Sequence, residues 1–250
     1  MINLKEFLDE KYNQYNTPDF IKTDPIQIPH RFSKKEDIEI SAFLTATIAW
    51  GKRNMIIKNA SKIMDLLDNE PYSFILNASE KEIGLLSGFV HRTFNIIDLQ
   101  FFLKSLRNIY SNHNGLETVF LKYNTDVYAT LINFRKIFFE IPYPDRTSRQ
   151  VSNVAKNSAA KRLNMFLMWM VRKDNRKVHF GIWDKIKPSA LFLPLDVHTG
   201  NVGRKLGLLT RKQNDWKAVA EITESLRKFD PDDPVKYDFA LFGLGIFEKF

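Results

Sequence analysis

Apolar side chains recur at helical spacing along almost the whole chain, and this periodicity is the feature that most limits how the chain can fold. Leu4, Phe7 and Leu8 follow the i, i+3, i+4 pattern of a helix that packs one face on a core. Residues 38–50 are almost entirely apolar, which predicts a buried central helix. No segment shows the regular two-residue alternation of a half-buried strand. The sequence therefore predicts an all-α fold.

Breaks between the apolar segments set the expected order of helices. Pro18, Pro25 and Pro29 mark residues 17–32 as an extended connector, and residues 174–194 form a second long connection. Further helices are predicted at residues 55–68, 79–86, 97–112, 115–138, 157–173, 197–207, 214–229 and about 235–247. Two helical lobes with a cleft between them are the natural assembly for these elements.

Positive charge is concentrated in one part of the chain. The formal net charge is +8, but residues 146–228 hold 18 Lys and Arg against 6 Asp and Glu, a net of +12, while the remainder carries −4. A concentrated positive field attracts polyanions and speeds their encounter, which favours nucleic acid as the partner. The alternative is a solvated basic surface without a ligand.

The absence of cysteine excludes several kinds of site. A chain without cysteine cannot form a disulfide, a thiolate nucleophile or a cysteine-ligated iron–sulfur cluster. His198 has no clustered His or Asp partners in the sequence, so no metal site is predicted. No apolar run is long enough to span a bilayer, and the N-terminus does not resemble a secretory signal, so neither a membrane nor export is expected. The cytoplasm is the expected location.

An amine and a carboxylate within the basic segment suggest a chemistry. Lys161 is predicted near the start of the helix at 157–173, at its third position if Ser158 is the N-cap. Asp196 follows Pro194 by two residues and is predicted to cap the next helix. An amine can attack a sugar C1′ to form a Schiff base, and a carboxylate can stabilise the positive charge that develops there. The alternatives are an exposed surface lysine and a purely structural N-cap.

The segment around Asp196 carries a family resemblance. Residues 195–202, LDVHTGNV, followed by RKLGL at 204–208, resemble the V-D-T-H…R-V…R-L-G-L segment of helix-hairpin-helix (HhH-GPD) DNA glycosylases. In that superfamily the aspartate is catalytic, and bifunctional members carry a lysine on the preceding helix, where Lys161 stands. The interval of 35 residues is longer than in the endonuclease III type and is closer to the archaeal 8-oxoguanine glycosylases. The whole chain, with its tail at 230–243, also resembles an uncharacterised bacterial family distantly related to these enzymes.

The resemblance implies a domain organisation. It implies a single all-α domain over residues 1–250, with a central cleft between two lobes. The first helical lobe would span about 36–140. The second would combine 1–35 with about 145–250 and would carry the hairpin-like segment and the catalytic motif.

The hairpin of the superfamily has a counterpart here that lacks glycine. Residues 149–158 occupy the place of the usual L-P-G-V-G turn, whose glycines let backbone N–H groups approach a phosphate. Asn153 or Asn157 is predicted to adopt a left-handed conformation instead. A plain polar loop is the alternative. The predicted DNA contacts are Ser152, Asn153, Lys156, Asn157, Ser158, Arg162, His198, Arg204, Lys205, Lys52 and Arg53.

Three residues are candidates for a base pocket. Trp50 stands where the superfamily inserts a side chain into the duplex, although an aromatic residue at the end of an apolar run more often belongs to the core. Asp238 and Phe242 lie four apart on the last predicted helix, a spacing at which the archaeal 8-oxoguanine type lines its pocket. The alternative to a pocket is that Asp238 is a surface acid and Phe242 is a core residue.

The combined prediction is a base-excision repair glycosylase with AP-lyase activity. Its substrate would be an oxidised purine such as 8-oxoguanine in damaged duplex DNA, without a dissociable cofactor, and the protein would act as a monomer on the bacterial nucleoid. The main alternative is a non-catalytic nucleic-acid-binding protein that kept the fold, which the missing hairpin glycines favour and the retained Lys161 and Asp196 oppose. An interaction scaffold is a third possibility and would have no salt-dependent affinity for DNA.

Overall fold

Helices form almost all of the regular structure, so the predicted all-α fold is confirmed. The structure is a computed structural model that describes residues 3–123 and 126–250. The helices are α1 Leu4–Tyr15, α2 Pro18–Thr23, α3 Lys35–Thr47, α4 Arg53–Leu66, α5 Pro71–Asn77, α6 Glu80–Leu85, α7 Ile96–Asn112, α8 Gly115–Leu121, α9 Val127–Phe138, α10 Lys161–Val171, α11 Val197–Lys205, α12 Trp216–Arg227 and α13 Asp238–Ile246. The strands are β1 Val90–His91 and β2 Phe94–Asn95.

The chain divides into two units. Unit 1 contains the described residues up to Lys22, the short stretch that ends at Val127, and Asn153–Phe250. Unit 2 contains the described part of Thr23–Asn124 together with Tyr128–Ser152. Two boundaries between the units therefore lie between residues 22 and 23 and between residues 152 and 153. The sequence predicted these boundaries near residues 35 and 145.

The core of unit 2 is built on phenylalanine. The predicted central helix corresponds to α3, and its residues from Ile38 to Thr47 are buried. Phe43 on α3 lies 5.9 Å from the ring of Phe102 on α7 and 5.5 Å from those of Phe134 and Phe138 on α9. Rings at these separations pack edge-to-face or offset, which fixes three helices against one another.

Several sequence predictions about elements were wrong. Residues 17–32, expected as an extended connector, contain α2 and the 3₁₀ turns Pro25–Gln27 and Pro29–Arg31. The single helix expected at 115–138 is interrupted between α8 and α9, and its positions 124–125 lie outside the described residues. The helix expected to start at 157 begins at Lys161. The pairs Val90–Asn95 and His91–Phe94 form an antiparallel hairpin that the sequence did not reveal, because strands of two residues are too short to show an alternation.

The core of unit 1 joins the N-terminal helix to the C-terminal one. A Cβ atom placed on Gly243 of α13 would lie 2.1 Å from the ring of Tyr15 on α1, so only glycine permits this contact. A Cβ on Gly245 would lie 3.1 Å from the Cβ of His198, which brings α13 close to α11. Glycine in a helix costs stability, and here it is explained by the close approach of neighbouring elements.

A buried arginine holds the C-terminal tail. Arg172 is 1% exposed, and its Nε lies 2.9 Å from both carboxylate oxygens of Asp233. Its Nη1 also pairs with Nδ1 of His179 at 2.8 Å. A buried cation needs such partners, and removal of one is costly. This cluster fixes the segment before α13 to the end of α10.

Among the described residues, no helix is long and apolar enough to cross a membrane.

Candidate active site

Lys161 and Asp196 meet in unit 1. The Lys161 Nζ lies 3.9 Å from the Asp196 Oδ2, although the two residues are far apart in the sequence. Their side chains are 29% and 23% exposed, respectively, so both can be reached from solvent. The sequence predicted that these two groups act together, and the structure places them within reach of one carbon atom.

Asp196 divides its two carboxylate oxygens between two tasks. It is the N-cap of α11, as predicted, and its Oδ1 accepts hydrogen bonds from the backbone N–H groups of His198 at 2.8 Å and Thr199 at 3.0 Å. The Thr199 hydroxyl accepts one from the backbone N–H of Asp196 at 2.8 Å, which completes a capping box. Because Oδ1 is held by the helix, Oδ2 keeps a fixed direction towards Lys161.

Lys161 stands closer to its helix end than the sequence predicted. It is the first residue of α10, and Ala160, with φ of +48°, takes the N-cap place that was assigned to Ser158. The Ser158 hydroxyl accepts a hydrogen bond from the backbone N–H of Ala160 at 3.3 Å instead. The Asn164 side-chain amide donates to the Ala159 carbonyl at 3.2 Å and so holds this left-handed entry from inside the helix.

The segment before α10 makes a tight turn without glycine. Val154–Lys156 form one turn of 3₁₀ helix, and the Asn153 side chain accepts a hydrogen bond from the backbone N–H of Ala155 at 3.1 Å. Asn157 has φ of +63°, which confirms the predicted left-handed asparagine, whereas Asn153 is extended. An asparagine thus supplies the conformation that glycine would otherwise provide.

Asp215 ties this turn to α12. Its Oδ2 accepts a hydrogen bond from the Asn157 amide at 2.9 Å, and its Oδ1 accepts bonds from Arg211 Nε at 2.7 Å and from the backbone N–H of Ala218 at 3.1 Å. The hydrogen bonds from Arg211 are the main reason why the pKa of the Asp215 carboxyl is held far below its usual range. Asp215 was not predicted as a site residue, because the helix was expected to begin at 214, whereas it begins at Trp216 with Asp215 as its N-cap.

Asn214 supports Asp196 from the other side. Its side-chain amide donates to the Asp196 carbonyl at 3.0 Å, and its Oδ1 accepts from Arg204 Nη2 at 2.6 Å. A Cβ on Gly200 would lie 2.8 Å from that Oδ1, so the contact requires glycine at this position of α11. The sequence offered no signal for this contact, because an asparagine at the start of the helix predicted at 214–229 indicates at most an N-cap.

Arg204 has a structural task beside its predicted role as a DNA contact. Its Nε donates to the Arg211 carbonyl and its Nη2 to the Lys212 carbonyl, each at 2.8 Å. These bonds, with the one to Asn214, occupy two of the three guanidinium nitrogens. Arg204 therefore shapes the loop after α11.

The other predicted DNA contacts of unit 1 differ in exposure. Burial lowers the pKa of the half-buried Arg162 guanidinium to about 10, which still leaves it cationic at neutral pH. Ser158 is also half-buried, and Asn153 lies beside it in the turn. The exposed members are Lys156, Asn157, His198 and Lys205.

The candidate pocket residues are distributed over both units. Asp238 is the first residue of α13 and Phe242 lies one turn later, both half-buried, with the Phe242 ring 6.3 Å from that of Phe20. Trp50 belongs to unit 2, where it is half-buried and lies edge-to-face with His91 at 5.0 Å. The predicted DNA contacts Lys52, Arg53 and Ser152 are in unit 2 as well.

The described residues contain no group of three or more His, Asp or Glu side chains arranged to hold a metal ion.

Comparison with known families gives one match. A family model described as "Protein of unknown function (DUF2400)" matches residues 24–247. No curated protein and no solved structure matches the chain.

Proposed function

We propose that this chain, which belongs to the DUF2400 family, is a DNA glycosylase with AP-lyase activity that releases an oxidised purine such as 8-oxoguanine. The observation that carries the proposal is the 3.9 Å separation of Lys161 Nζ and Asp196 Oδ2 at the starts of two helices in one unit. This distance is longer than that of a close ion pair. It is short enough for both groups to reach the same sugar carbon.

The first step would exchange the base for the lysine amine. The lone pair of the neutral Lys161 amine forms a bond to C1′ while the bond from C1′ to the base nitrogen breaks. The base leaves with the electron pair and takes up a proton, and the amine releases one. Asp196 Oδ2 faces the carbon on which positive charge develops, so its negative charge lowers the barrier of this step.

The second step would cleave the strand. The bond from C1′ to the ring oxygen opens, that oxygen takes up a proton, and an imine joins Lys161 to the opened sugar. Loss of a proton from C2′ then expels the 3′ phosphate by elimination. The same lysine thus serves base release and lyase activity, which is why one substitution should affect both.

The charge around the two residues in the sequence and the exposure of nearby lysines support DNA as the partner. The net charge of +12 over residues 146–228 surrounds both proposed catalytic residues in the sequence. Lys156 and Lys205 are exposed in this segment and are suited to phosphate contacts. On α13, a carboxylate at Asp238 can accept hydrogen bonds from a purine edge, and the Phe242 ring can stack on it.

The rival function is non-catalytic nucleic-acid binding, and one observation favours it. The backbone N–H groups of Lys156 and Ser158 donate to the Asn153 carbonyl, and that of Asn157 donates to the Val154 carbonyl. These groups are therefore used within the turn, whereas a glycosylase hairpin presents such groups to a phosphate. The rival function retains DNA binding but has no Lys161-dependent cleavage.

A strand-cleavage assay separates the two functions. One labelled duplex would carry a single 8-oxoguanine and a second a ready-made abasic site. We expect Lys161→Gln to lose cleavage of both, and Asp196→Asn to slow base release more than cleavage at the abasic site. Lys217→Gln, which removes an exposed lysine of α12 in the same unit, is the matched control and should retain both activities. Equal activity of Lys161→Gln and the control would refute the proposal.

A further inference from the structure

The β-hairpin of unit 2 carries an exposed arginine in an unusual backbone conformation. Arg92 and Thr93 form the two-residue turn between β1 and β2, and both are exposed. Arg92 has φ of +55°, in the left-handed region where glycine or asparagine is normally found in such turns. An arginine is strained in this conformation, and such strain suggests that the side chain has a role of its own.

A buried histidine locks this hairpin to the end of α3. His91 is 2% exposed; its Nε2 lies 3.0 Å from the Trp50 carbonyl and its Nδ1 lies 2.8 Å from the Asn59 amide. A carbonyl only accepts, so Nε2 carries the proton and Nδ1 accepts from Asn59. Burial lowers the pKa of His91, which keeps the ring in this neutral form. These two contacts therefore connect the hairpin to the turn after α3 and to α4.

Two arginines lie at the tip of the hairpin, and a lysine follows the glycine that one of them covers. Arg92 lies over Gly51, where a Cβ would be only 3.1 Å from its Nη1, and Lys52 is the next residue along the chain. On the other side, Arg146 Nη2 donates to the Thr93 carbonyl at 3.0 Å while its side chain stays 41% exposed. Arg146 is neutralised by the buried Asp98 at 2.9 Å. Within the described part of the chain, Lys52 and Arg92 have no ion-pair partner.

We propose that Arg92 and Lys52 form a DNA-backbone-binding surface on unit 2, here called the hairpin surface, with Arg92 as its central phosphate contact and Arg146 as the residue that holds the turn. An arginine fork matches a phosphate in two hydrogen bonds, and an adjacent lysine adds charge. Two cations on neighbouring turns suit the successive phosphates of a nucleic-acid backbone better than a single free anion.

The identification of the polyanion as duplex DNA rests on the proposed function. The surface itself is independent of Lys161, because it belongs to the other unit. Each phosphate contact adds about one unit to the slope of log affinity against log salt. Loss of Arg92 should therefore be visible in that slope even if the protein cleaves nothing.

Fluorescence anisotropy with an undamaged duplex, measured over a range of salt concentrations, tests the hairpin surface. Arg92→Asn removes the charge and places in the turn a residue that tolerates the left-handed conformation. We expect the slope to fall by about one unit with an unchanged or higher Tm. Lys81→Asn, which replaces an exposed lysine of α6 with the same residue, is the matched control and should leave the slope unchanged. Arg92→Lys should retain most of the slope.

Two results would overturn the proposal. One is an Arg92→Asn slope equal to that of Lys81→Asn. The other is tighter binding of a hairpin RNA than of duplex DNA, which would replace the partner. A failure of the proposed function can be distinguished from a failure of the hairpin surface. In the first case, cleavage that depends on Lys161 would be absent, but Arg92→Asn would still lower the slope.

Discussion

At the scale of single residues, the candidate site depends on how each reactive group is held. Asp196 Oδ1 is engaged by the backbone of its own helix, which leaves Oδ2 directed at Lys161. Asn214 fixes the Asp196 carbonyl, and Arg204 fixes Asn214. Reacting groups held in one orientation lose little entropy on reaching the transition state, so such supporting contacts affect rate more than binding.

Asn214→Ala should slow base release roughly tenfold with little change in KM, because about 1.4 kcal/mol of orientation is lost in the transition state. Single-turnover rates on the 8-oxoguanine duplex measure this directly. Asn201→Ala, at an exposed asparagine of α11, is the control. An Asn214→Ala enzyme as fast as this control would show that Asp196 needs no such support.

At the scale of elements, sequence periodicity predicted most helices but not the exact residues at which they begin, and these helix starts shape the site. The apolar stripes of α10 and α12 are visible in the sequence because burial of one face imposes their spacing, and α3 is visible as a mostly apolar run because it is buried all round. The start of α10 was misplaced because Ala160 adopts a left-handed conformation that only its surroundings stabilise. The Lys161 and Asp196 pair was expected from a family resemblance; its distance depends on tertiary packing, which no local pattern encodes.

Asp215 connects the turn before α10 to α12, and its ionisation should contribute to stability. Its folded pKa is lowered, so the contribution is complete above the ordinary value of 3.8 and is lost as pH falls towards the folded value. Asp215→Asn should lower the free energy of unfolding in urea at pH 7. The difference from wild type should shrink between about pH 4 and pH 3. A difference that is constant with pH would mean that the charge of Asp215 has no part in holding the turn.

At the scale of the whole molecule, each unit carries the residues of one proposal. Unit 1 holds the Lys161 and Asp196 pair, and unit 2 holds the proposed hairpin surface around Arg92. The sequence placed the excess of charge in residues 146–228 but did not indicate Arg92, because an isolated arginine between two-residue strands has no recognisable pattern. The central claim is that Lys161 is a nucleophile towards DNA.

Borohydride trapping tests that claim most directly, because the reagent reduces the imine and leaves protein permanently attached to the oligonucleotide. Wild-type protein would be mixed with 8-oxoguanine, abasic and undamaged duplexes, and the adduct digested to locate the modified lysine. We expect an adduct on the first two duplexes, attached at Lys161, absent in Lys161→Gln and retained in Lys217→Gln. An adduct that persists in Lys161→Gln, or none with the wild-type protein on any damaged duplex, would contradict the proposed function.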